Sequence, residues 1–167
     1  MSATVPAELL RSLEEERAGG ATIVFTNGCF DLLHPGHVAS LRAAAALGDV
    51  LVVGLNSDAS VRALKGPTRP VLNADGRAEL LRELRCVDHV VVFDEPTPVE
   101  VLRQLRPDVY VKGADWRDRP LAEADLVREQ GGRVEFLDIV SGHSTTAIID
   151  RIRAVPLAAG ETPDAQT

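Results

Sequence analysis

Short apolar runs recur along the chain at residues 21–25 (ATIVF), 50–55 (VLVVGL), 89–93 (HVVVF), 108–111 (DVYV) and 133–139 (RVEFLDI). They are rich in β-branched residues and several lack polar alternation, as strands covered on both faces do. Between them the apolar spacing turns helical. Residues 6–18 put Leu9, Leu10 and Leu13 on one side, 36–47 is rich in Ala and Leu and stops at Gly48, 75–85 reads DGRAELLRELR, and 97–106 carries a proline in its first turn. Strand and helix alternate throughout. The pattern predicts an α/β fold: a mostly parallel five-stranded sheet with helices on both faces. Ligands of such sheets bind beyond the carboxyl ends of the strands, where the strand order reverses.

At 167 residues the length suits one domain, taken as 1–154, followed by a flexible tail over 155–167 where the chain becomes small, polar and proline-containing. No stretch approaches the ~18 apolar residues of a membrane span, and the first residues lack a basic start followed by an apolar block. Cys29 and Cys86 therefore read as free thiols of a cytoplasmic protein. A net charge of −7 argues against nucleic acid or an anionic membrane as partner, while leaving room for a small anion held by local cations.

The candidate chemistry follows the first run, in FTNGCFDLLHPGH (25–37), which holds two of the four histidines. If 21–25 is a strand, 27–35 is the loop at its carboxyl end and a helix begins near Gly36. His34 and His37 then sit at a helix N-terminus, where free amides and the positive end of the macrodipole favour an anion. The imidazoles are expected to add two donors. Pro35 suits the first turn, and Gly36 removes a Cβ that would hold a phosphate off the backbone. Either histidine alone reads more readily as a cap or a solvated side chain; the combination favours a polyphosphate. Cys29, Asp31, His34 and His37 are also conceivable metal ligands, but C-x4-H-x2-H is not a common zinc spacing and no second cluster completes it. Neither G-x-G-x-x-G nor a P-loop occurs.

The only lysines among 18 basic residues, Lys65 and Lys112, each precede a glycine in a predicted loop or strand end. A compact ammonium fits a phosphate in a tight pocket where a guanidinium would collide. Arg62, Arg69 and Arg77 lie near Lys65, and one or two of them are expected to reach a ligand.

TNGCFDLLHPGH resembles the H-x-G-H signature of the nucleotidyltransferase superfamily. GLNSDASVRALKGPTRPV, FDEPTPVEVLRQLRPDVYVKGADW and SGHSTTAIIDRI follow in the order found in the adenylyltransferase domain of ADP-heptose synthesis, a resemblance covering about residues 13–153. It implies a Rossmann-like fold and transfer of AMP from ATP to D-glycero-D-manno-heptose 1-phosphate. His34, His37 and Lys65 carry the reaction: the histidines meet the nucleotide phosphates and Lys65 the acceptor's phosphate. Thr26, Asn27, Gly28, Phe30, Gly36, Lys112, Gly113 and Asp115 lie along the nucleotide. Gly142, Ser144, Thr145 and Thr146 close over the triphosphate, and Asp31, Asn56 and Arg69 face the acceptor. Mg²⁺ is held mainly by the phosphates, with no protein metal site. A homodimer is implied, as is a separate sugar kinase, because the kinase domain usually fused to this one is not within the 167 residues. Two departures stand out. KGADW (112–116) replaces the usual K-G-G-D-Y, bringing a tryptophan also found in glycerol-3-phosphate cytidylyltransferase, and LAEADLV (121–127) lacks an expected glycine. A cytidylyltransferase making a CDP-alcohol and a non-catalytic nucleotide sensor are the rival functions.

Overall fold

A computed structural model describes residues 5–138 and 142–156. Its strands are β1 (Ile23–Gly28), β2 (Val50–Asn56), β3 (His89–Phe93), β4 (Val109–Gly113) and β5 (Arg133–Leu137). They form one sheet in the order β3-β2-β1-β4-β5, and every pairing is parallel. The helices are α1 (Ala7–Ala18), α2 (Pro35–Ala45), α3 (Asp58–Lys65), α4 (Ala74–Arg82), α5 (Val99–Leu105), α6 (Ala122–Glu129) and α7 (Thr145–Ala154), with a 3₁₀ turn at Ala114–Trp116. None of the helices is long and apolar enough to cross a membrane.

Alternate residues of the central strands feed two cores. Ile23 and Phe25 of β1 join Val52, Phe93 and Tyr110 against Leu13, Leu102 and Val127 of α1, α5 and α6. Val24 joins Leu51, Val53 and Val111 against Leu41 and Ala44 of α2 and Leu81 of α4. Burial on both faces explains why these strands read as continuous apolar runs. Gly54, inside β2, is a packing requirement: a Cβ there would stand 2.5 Å from Phe25 Cζ and 3.1 Å from Asn27 Cβ.

The chain builds one half of the sheet through β1, β2 and β3, then crosses back to add β4 and β5 on the other side of β1. The order therefore reverses between β1 and β4, and a crevice opens beyond their carboxyl ends. β1 runs on to Gly28, so Thr26, Asn27 and Gly28 lie in the strand rather than in the loop after it. Lys65, read from the sequence as a loop residue, ends α3, whose N-cap is Ser57 accepting from the Ser60 amide. That helix is short, and Val61 is the apolar side chain it buries, which left little periodic signal. Ile139, the end of the last apolar run, and most of the expected tail, 157–167, lie outside the described residues.

Candidate active site

The floor of the crevice is the end of β1 beside β4. Thr26 Oγ1 donates to the Val111 carbonyl at 3.1 Å, and Tyr110 Oη donates to Asn27 Oδ1 at 2.9 Å. The chain then turns sharply: Phe30 and Leu32 both take positive φ, 45° and 51°. Such backbone costs about 1–3 kcal/mol per residue and persists only where surrounding contacts fix it. Asp31 supplies them. Its buried carboxylate accepts from Arg69 Nε at 2.7 Å and from the amides of Val71 at 2.9 Å and Leu72 at 3.2 Å. Burial works against the charge, but the Val71 amide and the Arg69 guanidinium outweigh it and hold the carboxyl below its usual range. Thr145 Oγ1 donates to the Asp31 carbonyl at 2.6 Å, so the loop is also tied to α7. Asp31 is thus committed to holding the loop in shape.

His34 is the N-cap of α2, with Pro35 in the first turn. Its Nδ1 accepts from the His37 amide at 3.3 Å, so Nε2 carries the proton and is the donor this ring can offer a ligand. The two rings stack at 3.7 Å, and Phe30 meets His37 edge-on at 5.4 Å. His37 Nδ1 is buried without a partner among the described residues. The space left by the missing Cβ of Gly36 is already occupied, since a Cβ there would stand 3.0 Å from His34 Nδ1 and from His143 Cβ. Gly36 thus also gives room to the side chains of His34 and His143. Burial first, and the neighbouring His34 second, push the His37 pKa down to about 4; burial and then His143 lower that of His34. Both rings are therefore neutral at pH 7 in the free protein.

This has a sign for stability. Below the ordinary value of 6.5 the unfolded chain takes up a proton that folded His37 refuses until about pH 4. Stability is expected to fall across that window, and His37→Asn to flatten the fall. Melting curves at several pH values check it: equal slopes for both proteins contradict it.

The N-terminus of α7 faces the same corner. Ser144 caps it, its Oγ accepting from the Ala147 amide at 3.0 Å. With Thr145 holding the Asp31 carbonyl, Thr146 alone of the three hydroxyls is exposed and unbonded among the described residues. Gly142, with φ of 84°, makes the turn into this segment. His143 lies parallel to His34 at 6.2 Å.

Cations flank the other side of the loop. Burial raises the Cys29 thiol pKa, and the charges of Lys65, Arg77 and Arg69 pull it back, which sets all three around that residue. Lys65 is exposed at the end of α3. Arg69 uses Nε on Asp31, and its two Nη groups bond to no other described residue and can meet an anion. Arg77, of the three arginines from which one or two were expected to reach a ligand, is 0% exposed and spends its donors on the carbonyls of Leu72, Cys29 and Asn56 and on Asp58. Asn56 is also internal, its Nδ2 donating to Ser60 Oγ at 2.9 Å. Charge patterning gave no hint that Arg77 is a structural hub.

On the β4 side, Thr26, Phe30, Leu41, Val111, Lys112 and Gly113 line a small, mostly apolar cleft. Lys112 Nζ lies 4.9 Å from the Trp116 ring and 5.6 Å from that of Tyr110, and Arg119 approaches Trp116 at 5.6 Å. Burial lowers the Lys112 pKa, opposed by the charges of Glu123 and Asp115. No three His, Cys, Asp or Glu come together as metal ligands among the described residues.

The corner thus offers neutral imidazole donors, two helix N-termini and flanking cations beside a small, mostly apolar cleft. Comparison with known proteins points the same way. The bifunctional protein HldE of Syntrophotalea carbinolica is 59% identical over 140 residues, 84% of this chain and 29% of that protein. HldE of Gluconobacter oxydans is 52% identical over 155 residues, 92% of this chain and 32% of that protein. The chain therefore spans about a third of the length of these curated relatives. A crystal structure of the lipopolysaccharide core biosynthesis protein from Thermoplasma volcanium superposes with a TM-score of 0.58 at 30% identity, over 72% of this chain and 98% of that one. The model of the cytidylyltransferase-like family matches residues 25–151, so the chain belongs to that family of nucleotidyltransferases.

Proposed function

We propose that the chain transfers AMP from ATP to a sugar 1-phosphate, of the D-glycero-D-manno-heptose class, releasing pyrophosphate. The observation that carries this is the convergence of the α2 and α7 N-termini, with His34, His37 and Thr146, on the crevice between β1 and β4. An oxygen of the acceptor phosphate attacks the α-phosphorus of the nucleotide, the bond to the bridging oxygen breaks, and its electron pair leaves with pyrophosphate. The acceptor is already ionised, so no serine or cysteine nucleophile is needed. The work of the chain is to hold two polyanions in line and to meet charge growing on the leaving group. His34 Nε2 and His37 face the nucleotide phosphates, Thr146 and the α7 amides close the far side, and Lys65 with the Arg69 fork meets the acceptor's phosphate. Thr26, Asn27, Gly28, Phe30, Lys112, Gly113 and Asp115 border the nucleoside. Mg²⁺ would travel with the nucleotide on phosphate oxygens and water, since that ion needs few protein ligands and Asp31 is engaged elsewhere.

Identity of 50% or more to bifunctional HldE proteins supports a nucleotidyltransferase of the heptose pathway. A homodimer fits the outward apolar surface of Ile152 and Val155, 62% and 65% exposed. The rival cytidylyltransferase draws on Trp116, held between Lys112 and Arg119 beside the cleft.

Pyrophosphate release from ATP, CTP and GTP, each with heptose 1-phosphate and glycerol 3-phosphate, tests the proposal. Turnover with ATP and the heptose phosphate is expected. CTP with glycerol phosphate would favour the rival, and saturable ATP binding without pyrophosphate from any pair would indicate a sensor.

A further inference from the structure

We propose that His143 is a third phosphate-binding imidazole of this site, donating to the terminal phosphates of the nucleotide, the part that departs as pyrophosphate. This rests on the nucleotidyltransferase reading above. The histidine lies in the SGHSTT segment, beside the hydroxyls and amides of the α7 N-terminus.

Geometry gives the residue a place in the site. His143 precedes the α7 N-cap and is exposed, and its ring is within 19° of parallel to His34. His37, His34 and His143 form a row, with successive ring separations of 3.7 and 6.2 Å. The row begins beside Phe30, which lines the small apolar cleft, and exposure rises along it from the half-buried His37 and His34 to the exposed His143. In the proposed pose the nucleoside lies toward that cleft and the terminal phosphates toward the exposed end of the row. The Cβ of His143 stands 3.0 Å from where a Gly36 Cβ would be, so the side chain is rooted where the first turns of α2 and α7 meet.

The bonding inventory points the same way. His34 has spent Nδ1 on the His37 amide, whereas His143 makes no hydrogen bond among the described residues and keeps both ring nitrogens for a ligand. The like-charge influence of His143 on His34 shows the rings to be within electrostatic reach. A polyanion laid along the row would accept an N–H from each ring. A residue just before an N-cap more commonly packs an apolar side chain back on its helix. An exposed imidazole aligned with two others is ill suited to that task.

The test uses the full chain, inorganic pyrophosphate and ATP. His143→Ala and His143→Phe are expected to weaken pyrophosphate binding about tenfold, the loss of one hydrogen bond to a charged group, and to raise KM for ATP similarly with the acceptor KM unchanged. His143→Asn should recover part of the loss by restoring a donor. The histidine ring protons of the wild type, followed by NMR, should show the His143 signal shifting on pyrophosphate addition. Since the residue is exposed, melting temperatures should not change. Pyrophosphate binding within twofold of wild type in His143→Ala overturns the inference, as does full rescue by phenylalanine, which would indicate packing alone. If the wild type binds neither ATP nor pyrophosphate, the nucleotidyltransferase reading fails and takes the inference with it. Normal wild-type binding beside an unaffected alanine variant removes His143 only.

Discussion

His37→Ala is expected to fold and to lose about 10²- to 10³-fold in turnover, the usual effect of deleting one preorganised donor from a site that stabilises developing charge. His37 is the most constrained group in the corner: stacked on His34 at 3.7 Å, met edge-on by Phe30, and with its Nδ1 shielded from solvent. Its amide caps onto His34 through the backbone, and alanine keeps that bond. The imidazole itself bonds to no other described residue, so its loss removes packing but leaves no unpaired partner behind. The depressed pKa adds a second readout. A neutral ring donates to phosphate without carrying a charge the free protein would have to desolvate, and an approaching polyanion favours its protonation. Nucleotide binding below pH 6.5 should therefore take up protons, visible as a binding enthalpy that depends on the ionisation enthalpy of the buffer, and His37→Ala should diminish that uptake. Pyrophosphate release at the wild-type rate would remove His37 from the reaction.

Much of this corner was legible in the sequence because the signals were local. Runs such as VLVVGL announced strands buried on both faces, and the alternation with helical segments dictated a parallel sheet. The reversal between β1 and β4 left the carboxyl end of the first strand as the place to look, which put His34, His37, Lys112 and Gly113 near one crevice. Partner choice was less visible. The cap that His34 places on its own helix was a local reading, but nothing in HPGH says that Gly36 makes room for a second side chain, because that depends on His143, more than 100 positions later. For Asp31 a role in holding its loop was legible, but its partners were not, since the three donors come from residues 69–72. The amphipathic signal of α3 was too short to compete with the glycine and prolines that follow it.

Arg77 shows the same limit most sharply, and it sets the second large expectation: Arg77→Met should destabilise the protein by on the order of 3–5 kcal/mol, although methionine fills much of the same volume. The ion pair with Asp58 contributes little of this, because that carboxylate is 31% exposed and can return to water. The cost lies with the carbonyls. Nη1 serves Cys29 at 2.6 Å and Asn56 at 2.9 Å, and Nε serves Leu72 at 3.0 Å, so one planar fork joins the loop after β1, the end of β2 and the segment before α4. Leaving a buried acceptor unsatisfied costs about 1–3 kcal/mol, and three are stranded together. Lysine, with one compact ammonium, cannot span the same acceptors, so Arg77→Lys should recover only part of the loss. Arg62→Ala, on an exposed face of α3, should change stability by about 0.5 kcal/mol or less. Urea unfolding separates these outcomes. A loss of under about 1 kcal/mol for Arg77→Met would mean that the carbonyls find water or one another, and that the loop carrying the H-x-G-H motif is held by Asp31 alone.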